Sequence, residues 1–231
     1  RAHAVTMYYG SQGGWHGHKD RLNIEYIARG LTFLPEMGYP AHWGHKADHW
    51  ARGSPSHNIV MVNAEQQHGK PAGHLNSLAS SPTFNLMDAS AEAVYPDFVS
   101  QYRRTVAMIE AGDGDAYLLD VFRVRGGQQH DYLIHGFGNC AAQARGISFA
   151  EPRPGTLAGE DVPFGAEDPD SGYQYLMTPR YAQPKGAFRV RWGQPRRPAL
   201  WFHALTGVAQ QAVLCDAEPE LRPDNYKTIQ Y

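Results

Sequence analysis

Short runs of β-branched, aromatic and aliphatic residues follow one another along the chain, each stopped by turn residues, and no run has the length and period of an amphipathic helix. Only sheet structure suits that rhythm. Leu22-Asn23-Ile24-Glu25-Tyr26-Ile27-Ala28 alternates apolar and polar residues, then meets Arg29-Gly30. It reads as a half-buried strand with its turn. Residues 31–34 read as its partner, closed by Pro35. Val5-Thr6-Met7-Tyr8-Tyr9 and Asn58-Ile59-Val60-Met61-Val62 are further strands. Residues 101–109 and 117–124 flank Gly112-Asp113-Gly114-Asp115, which predicts a hairpin turn. Residues 132–137, 187–192, 199–205 and 211–214 continue the series. The expectation is an all-β fold, an antiparallel sandwich of two packed sheets.

Two stretches break the pattern. Residues 39–56 are polar and aromatic, with Gly, Pro, Asp and His, and read as a loop. Residues 141–184 are rich in Gly, Pro, Asp and Glu and read as a long loop or insertion. With 231 residues, 42% hydrophobic, the chain can bury a core without disulfide staples, so residues 1–231 are expected to form one β domain. Cys140 and Cys215 could pair, although two small buried thiols are the preferred reading. A net charge of −2 gives no general attraction to nucleic acid or anionic membrane. No apolar run approaches the ~20 residues of a membrane span. The start, Arg1-Ala2-His3-Ala4, lacks Met and a signal pattern, and the last strand before Tyr231 looks unfinished. Both suggest a piece of a longer protein.

Eight of the twelve histidines lie at or before His68, which marks where chemistry is expected. His16 and His18 are two apart, so in a strand they share a face. Gly13 and Gly14 let the backbone come close to a ligand. Glu36 and His57 are placed to complete a set of two histidines and one carboxylate with an open position. That set suits Zn²⁺ and other divalent metals. Asp20 could orient a histidine from behind. Spacing alone leaves open two solvent-facing histidines and a surface carboxylate.

Three ordered segments narrow the choice: Gly14-Trp15-His16-Gly17-His18-Lys19-Asp20-Arg21-Leu22-Asn23, Phe33-Leu34-Pro35-Glu36-Met37-Gly38-Tyr39-Pro40, and Ser54-Pro55-Ser56-His57-Asn58-Ile59-Val60-Met61-Val62. Together they resemble the heparinase II/III-like polysaccharide lyases, whose pattern is H-G-H-x-D, then an acid in a turn, then a His-Asn pair. The resemblance runs from about Val5 to Gly138. It differs in Glu36, where Asp is more usual, and in Ser54-Pro55-Ser56, where a Thr commonly stands.

The resemblance implies a C-terminal β-sandwich that works with an N-terminal α/α toroid of the same protein, the active site lying between them. It implies zinc ligands at His18, Glu36 and His57, and a substrate-facing catalytic histidine at His16. The implied reaction is β-elimination on a uronic-acid-containing polysaccharide. A base removes the C5 proton and the leaving group departs from C4. Tyr39, Trp43, Trp50 and Arg52 are candidates for the sugar groove, with loop packing as the plainer role of each. The resemblance also implies a periplasmic or secreted location. A cupin-type metal enzyme, with Glu25 as its acid, and a non-catalytic carbohydrate-binding sandwich are the rival readings. Arg103 and Arg104 alternate faces in their strand, so at most one points inward, and a cross-strand salt bridge is expected of either.

Overall fold

A computed structural model describes residues 3–11, 16–38, 47–68, 71–136, 142–193, 198–205, 211–217 and 229–230. The fold is all-β and every strand pairing is antiparallel; helical structure among the described residues is limited to single turns. No helix there is long and apolar enough to cross a membrane. The chain forms two compact units, one of residues 1–36 and 52–133, the other of residues 37–51 and 134–231.

The first unit opens with a three-stranded sheet of β1 (His3–Met7), β2 (Ile24–Ala28) and β3 (Leu31–Leu34). Ile24, Tyr26 and Ala28 are buried while Glu25 and Ile27 are not, which is the period-two pattern expected of that segment. β4 (Val60–Val62) pairs later with β9 (His130–Tyr132). The largest sheet runs β5 (His74–Ser80), β6 (Phe84–Ser90), β7 (Val99–Gly112), β8 (Asp115–Gly126) in that order. β7 and β8 meet in a tight turn in which Asp113 and Gly114 both have positive φ, 53° and 73°. This is the geometry that Asp-Gly favours in a two-residue hairpin. One face of β7 packs inward as a second layer. Tyr102, fully buried, donates its hydroxyl to the Val60 carbonyl at 2.6 Å. Arg104, also fully buried, donates to the Leu22 carbonyl at 2.7 Å. Of the two arginines it is Arg104 that points inward, paired with Asp120 across the strands, while Arg103 pairs with Asp88 on the opposite face.

The second unit holds two three-stranded sheets. One is β10 (Gln143–Arg145), β12 (Phe188–Trp192) and β13 (Leu200–Ala204). The other is β11 (Leu176–Ala182), β14 (Ala212–Ala217) and β15 (Ile229–Gln230). β10 and β11 shorten the long loop expected over residues 141–184. Pro179 sits in β11 at a register shift between Met177 and Arg180, so the strand bulges where proline has no N–H to donate. Cys215 is a buried free thiol whose pKa burial pushes up to about 12. Cys140 lies outside the described residues.

Candidate metal centre

Residues 17–20 do not form a strand, so the shared-face argument for His16 and His18 fails. A curled loop replaces it, and the cause is Arg21. Its guanidinium is fully buried, donates to the His18 carbonyl and meets Asp20 Oδ1 at 3.2 Å. Its backbone N–H donates to Gln67 Oε1 at 2.7 Å, and the Gln67 amide returns a bond to the Arg21 carbonyl at 2.9 Å. Lys19 N–H donates to the Arg52 carbonyl at 2.8 Å, tying the loop to the segment that carries His57. The loop leaves through Leu22, whose φ of 67° is left-handed and unfavourable for a branched residue.

Four side chains converge on this loop: His18, Asp20, Glu36 and His57, with one ligand atom of each within 4.8 Å of the others. Three of them form a near-equilateral triangle. His18 Nδ1 lies 3.2 Å from Glu36 Oε1 and 3.2 Å from His57 Nε2, and the third side is 3.1 Å. Ligand bonds of about 2.0–2.1 Å in a tetrahedral Zn²⁺ site place donors roughly 3.3–3.4 Å apart. The donor triangle therefore fits a divalent cation, with an Asp20 oxygen within 4.8 Å of its donors. Glu25, the acid that a cupin-type set would use, is not among the four.

The surroundings settle which atoms face the centre. His57 is fully buried, and its Nδ1–H donates to the Gly53 carbonyl at 2.7 Å, which leaves Nε2 turned to the triangle. Ser54-Pro55-Ser56 forms one turn of 3-10 helix that presents Gly53 and His57 to each other. Burial alone would lower the His57 imidazole, but the charge and hydrogen bond of Glu36 outweigh it and raise its pKa to about 9. Burial alone would raise the Glu36 carboxyl, but His57 and His18 together hold it well below the usual carboxylate range.

Glu36 Oε2, the oxygen outside the triangle, accepts from Asn23 Nδ2 at 2.8 Å. Asn23 Oδ1 accepts from the Asn58 backbone N–H at 2.9 Å, and Asn58 Nδ2 donates to the Ile24 carbonyl at 3.1 Å. A single asparagine thus links the carboxylate to the strand that follows His57. The residue pattern gives Asn23 no role of its own; its place at the end of the first quoted segment, just before β2, was the available signal. Asn23→Ala is expected to weaken divalent-metal affinity about 10–100-fold while the protein stays folded, as for other partners that orient a metal ligand. Competition with a chromophoric chelator measures this; an unchanged affinity would remove Asn23 from the site.

His16, two residues before His18, is exposed. Tyr39 and Trp43 lie outside the described residues. Trp50 corrects an expectation. It is fully buried and stacked on Tyr175 at 5.9 Å between ring centroids, so it packs and offers no face to a sugar. Arg52 is partly buried, and its carbonyl serves the Lys19 bond above.

The family model described as Heparinase II/III-like, C-terminal, matches residues 2–148, well over half of the chain. Among solved structures, the heparan sulfate lyase HepC from Pedobacter heparinus aligns over 98% of this chain at 13% identity and a TM-score of 0.46. A mutant of that enzyme aligns over 98% at 12% identity, also with a TM-score of 0.46. This chain spans 32% of the length of each. No curated protein sequence matches it.

Proposed function

Because the chain belongs to the heparinase II/III-like family through its C-terminal domain, we propose that it is the β part of a polysaccharide lyase acting by β-elimination on a uronic-acid-containing glycan. The observation that carries this reading is the contrast between His16 and His18, two residues apart in the chain. His18 meets Glu36 and the buried His57 in the donor triangle, while His16, two residues earlier in the chain, is exposed.

His18, Glu36 and His57 would hold the ion, with Zn²⁺ the best fit to two imidazoles and a carboxylate. Bound there, the ion supplies fixed positive charge that locks the loop. His16 faces the substrate from that loop. The C5 proton of a uronate is weakly acidic, and its removal drives negative charge onto the neighbouring carboxylate. His16 either moves a proton in this step or neutralises the growing charge. The remaining base and acid belong to the α/α toroid of the full-length protein. An enzyme for such polymers works where the polymers are, in the periplasm or outside the cell.

The test uses the full-length protein and a panel of uronate polysaccharides. Each cleavage leaves a double bond conjugated with the carboxylate, so ultraviolet absorbance should grow with time. His16→Ala should lower kcat by at least ~100-fold, the lower end of what general acid–base groups contribute, with its metal retained. No absorbance gain on any uronate would sink the lyase reading.

A further inference from the structure

The second unit carries a sheet face that the lyase reading does not use. In the sheet of β10, β12 and β13, Gln143 pairs with Arg191 and Arg191 with Trp201; Arg145 pairs with Arg189 and Arg189 with His203. Residues paired across antiparallel strands share a face. One face of this sheet is therefore two rows, Gln143–Arg191–Trp201 and Arg145–Arg189–His203. The opposite face holds Val190 and Trp192, which are buried. The polar face is the solvent side: Gln143, Arg145, Trp201 and His203 are all exposed, Trp201 at 41%.

The chemistry of that face is one-sided. None of the three strands contains an aspartate or glutamate. The Arg189 and Arg191 guanidiniums lie 5.3 and 5.9 Å from the centre of the Trp201 ring, and the His203 ring is 6.2 Å from it. Arg191 also donates to the Gly193 carbonyl at 2.7 Å. An exposed indole on a strand, with two guanidiniums drawn over its ring, brings an apolar plate and carboxylate-binding forks together in one place. A pyranose ring bearing a carboxylate has the matching pair of features. Residues two apart along β12 are separated by about 6.6 Å, on the scale of one sugar ring. The protein's net charge of −2 supplies no long-range pull on nucleic acid, so local matching decides the ligand.

We propose that the outer face of β10, β12 and β13 binds a carboxylate-bearing glycan chain, with Trp201 stacking on a sugar ring and Arg145, Arg189 and Arg191 pairing with uronate carboxylates. The choice of uronate rests on the lyase reading; the site itself belongs to a different unit from the metal centre. It would hold the polymer independently of turnover.

Affinity electrophoresis of the full-length protein tests this, in native gels containing alginate (an unsulfated polyuronate), a neutral β-glucan, or single-stranded DNA. Alginate should retard the protein and the neutral glucan should not. Trp201→Ala and the double variant Arg145→Gln/Arg189→Gln should each weaken the alginate interaction about tenfold. All three positions are on the solvent face, and unchanged thermal midpoints establish that the variants fold. Equal retardation of both variants and the native protein would overturn the proposal, as would DNA retardation with the same dependence on Trp201. Retardation without any absorbance gain would fail the lyase reading and leave this one standing. Absorbance gain with unaltered retardation of Trp201→Ala would do the reverse.

Discussion

His57→Ala is expected to abolish metal binding and to destabilise the fold by on the order of 3 kcal/mol even without metal. The imidazole is fully buried and bonded at both nitrogens, to the Gly53 carbonyl and to Glu36. Its removal takes one imidazole away from the partly buried Glu36 carboxylate, which His18 and Asn23 also meet. The native protein loses a further ~4 kcal/mol when a chelator removes an ion present at about a thousandfold its Kd. Denaturant midpoints measured with metal and with chelator separate the two terms. The chelator should shift the native protein and leave His57→Ala where it is; equal shifts in both would count against His57 as a ligand. The metal-free protein has a pH signature as well. His57 has a folded pKa of about 9 against an ordinary 6.5. Its stabilisation is full below the ordinary value and is lost as the pH rises through about 9. Metal-free His57→Ala should lack that alkaline loss.

Arg104→Met should cost about 3 kcal/mol, because it removes a fully buried guanidinium and takes its hydrogen bonds from the Leu22 and Asn58 carbonyls and from the partly buried Asp120 carboxylate. The Arg104 guanidinium makes a two-pronged pair with Asp120, at 2.9 and 2.6 Å, and donates to the Leu22 and Asn58 carbonyls. Those two carbonyls flank the metal loop and the His57 segment. Leu22 is the residue held at positive φ, so the arginine also steadies a backbone turn that leucine disfavours. Replacing the pair together, Arg104→Met with Asp120→Leu, should recover part of the loss by removing a carboxylate that has lost its guanidinium, less the bond that the Tyr132 hydroxyl donates to Asp120 at 2.5 Å. The Leu22 and Asn58 carbonyls would still lack their donor, so metal affinity should remain reduced in the double variant. Equilibrium unfolding of both variants with a metal titration measures this. A single variant as stable as the native protein would show that the guanidinium is dispensable to the layer contact.

Much of this architecture was legible in the sequence where one face of a strand is buried. β2 announced itself by alternation, β3 as its partner across Arg29-Gly30 and before Pro35, and the β7–β8 hairpin by Asp113-Gly114. β5 and β6 did not. β5 is an edge strand with almost every residue exposed, and burial is what writes a hydrophobic pattern. β11 was hidden by Pro179, which normally argues against a strand and here sits in a bulge. At the site, the donors His18, Glu36 and His57 were readable as residue types in order, while their means of convergence was not. Spacing suggested a pleat, whereas the loop is shaped by the buried Arg21 and Gln67, two polar residues that composition places on a surface. Asn23 and Asn58 stood in the quoted segments, but their linking role was hidden for the same reason. A backbone-linking amide has no periodic signature. Trp50, in a segment rich in turn residues, looked available to a ligand and is instead enclosed by its stack on Tyr175.

The central claim is that His18, Glu36 and His57 hold one divalent ion. Elemental analysis of protein purified without added chelator, followed by X-ray absorption at the metal edge, addresses it directly. One equivalent of zinc per chain is expected, bound by nitrogen and oxygen donors including two imidazoles, and none in His18→Ala. A metal-free native protein that takes up no zinc at micromolar concentrations, or zinc content unaltered by His18→Ala, would contradict it.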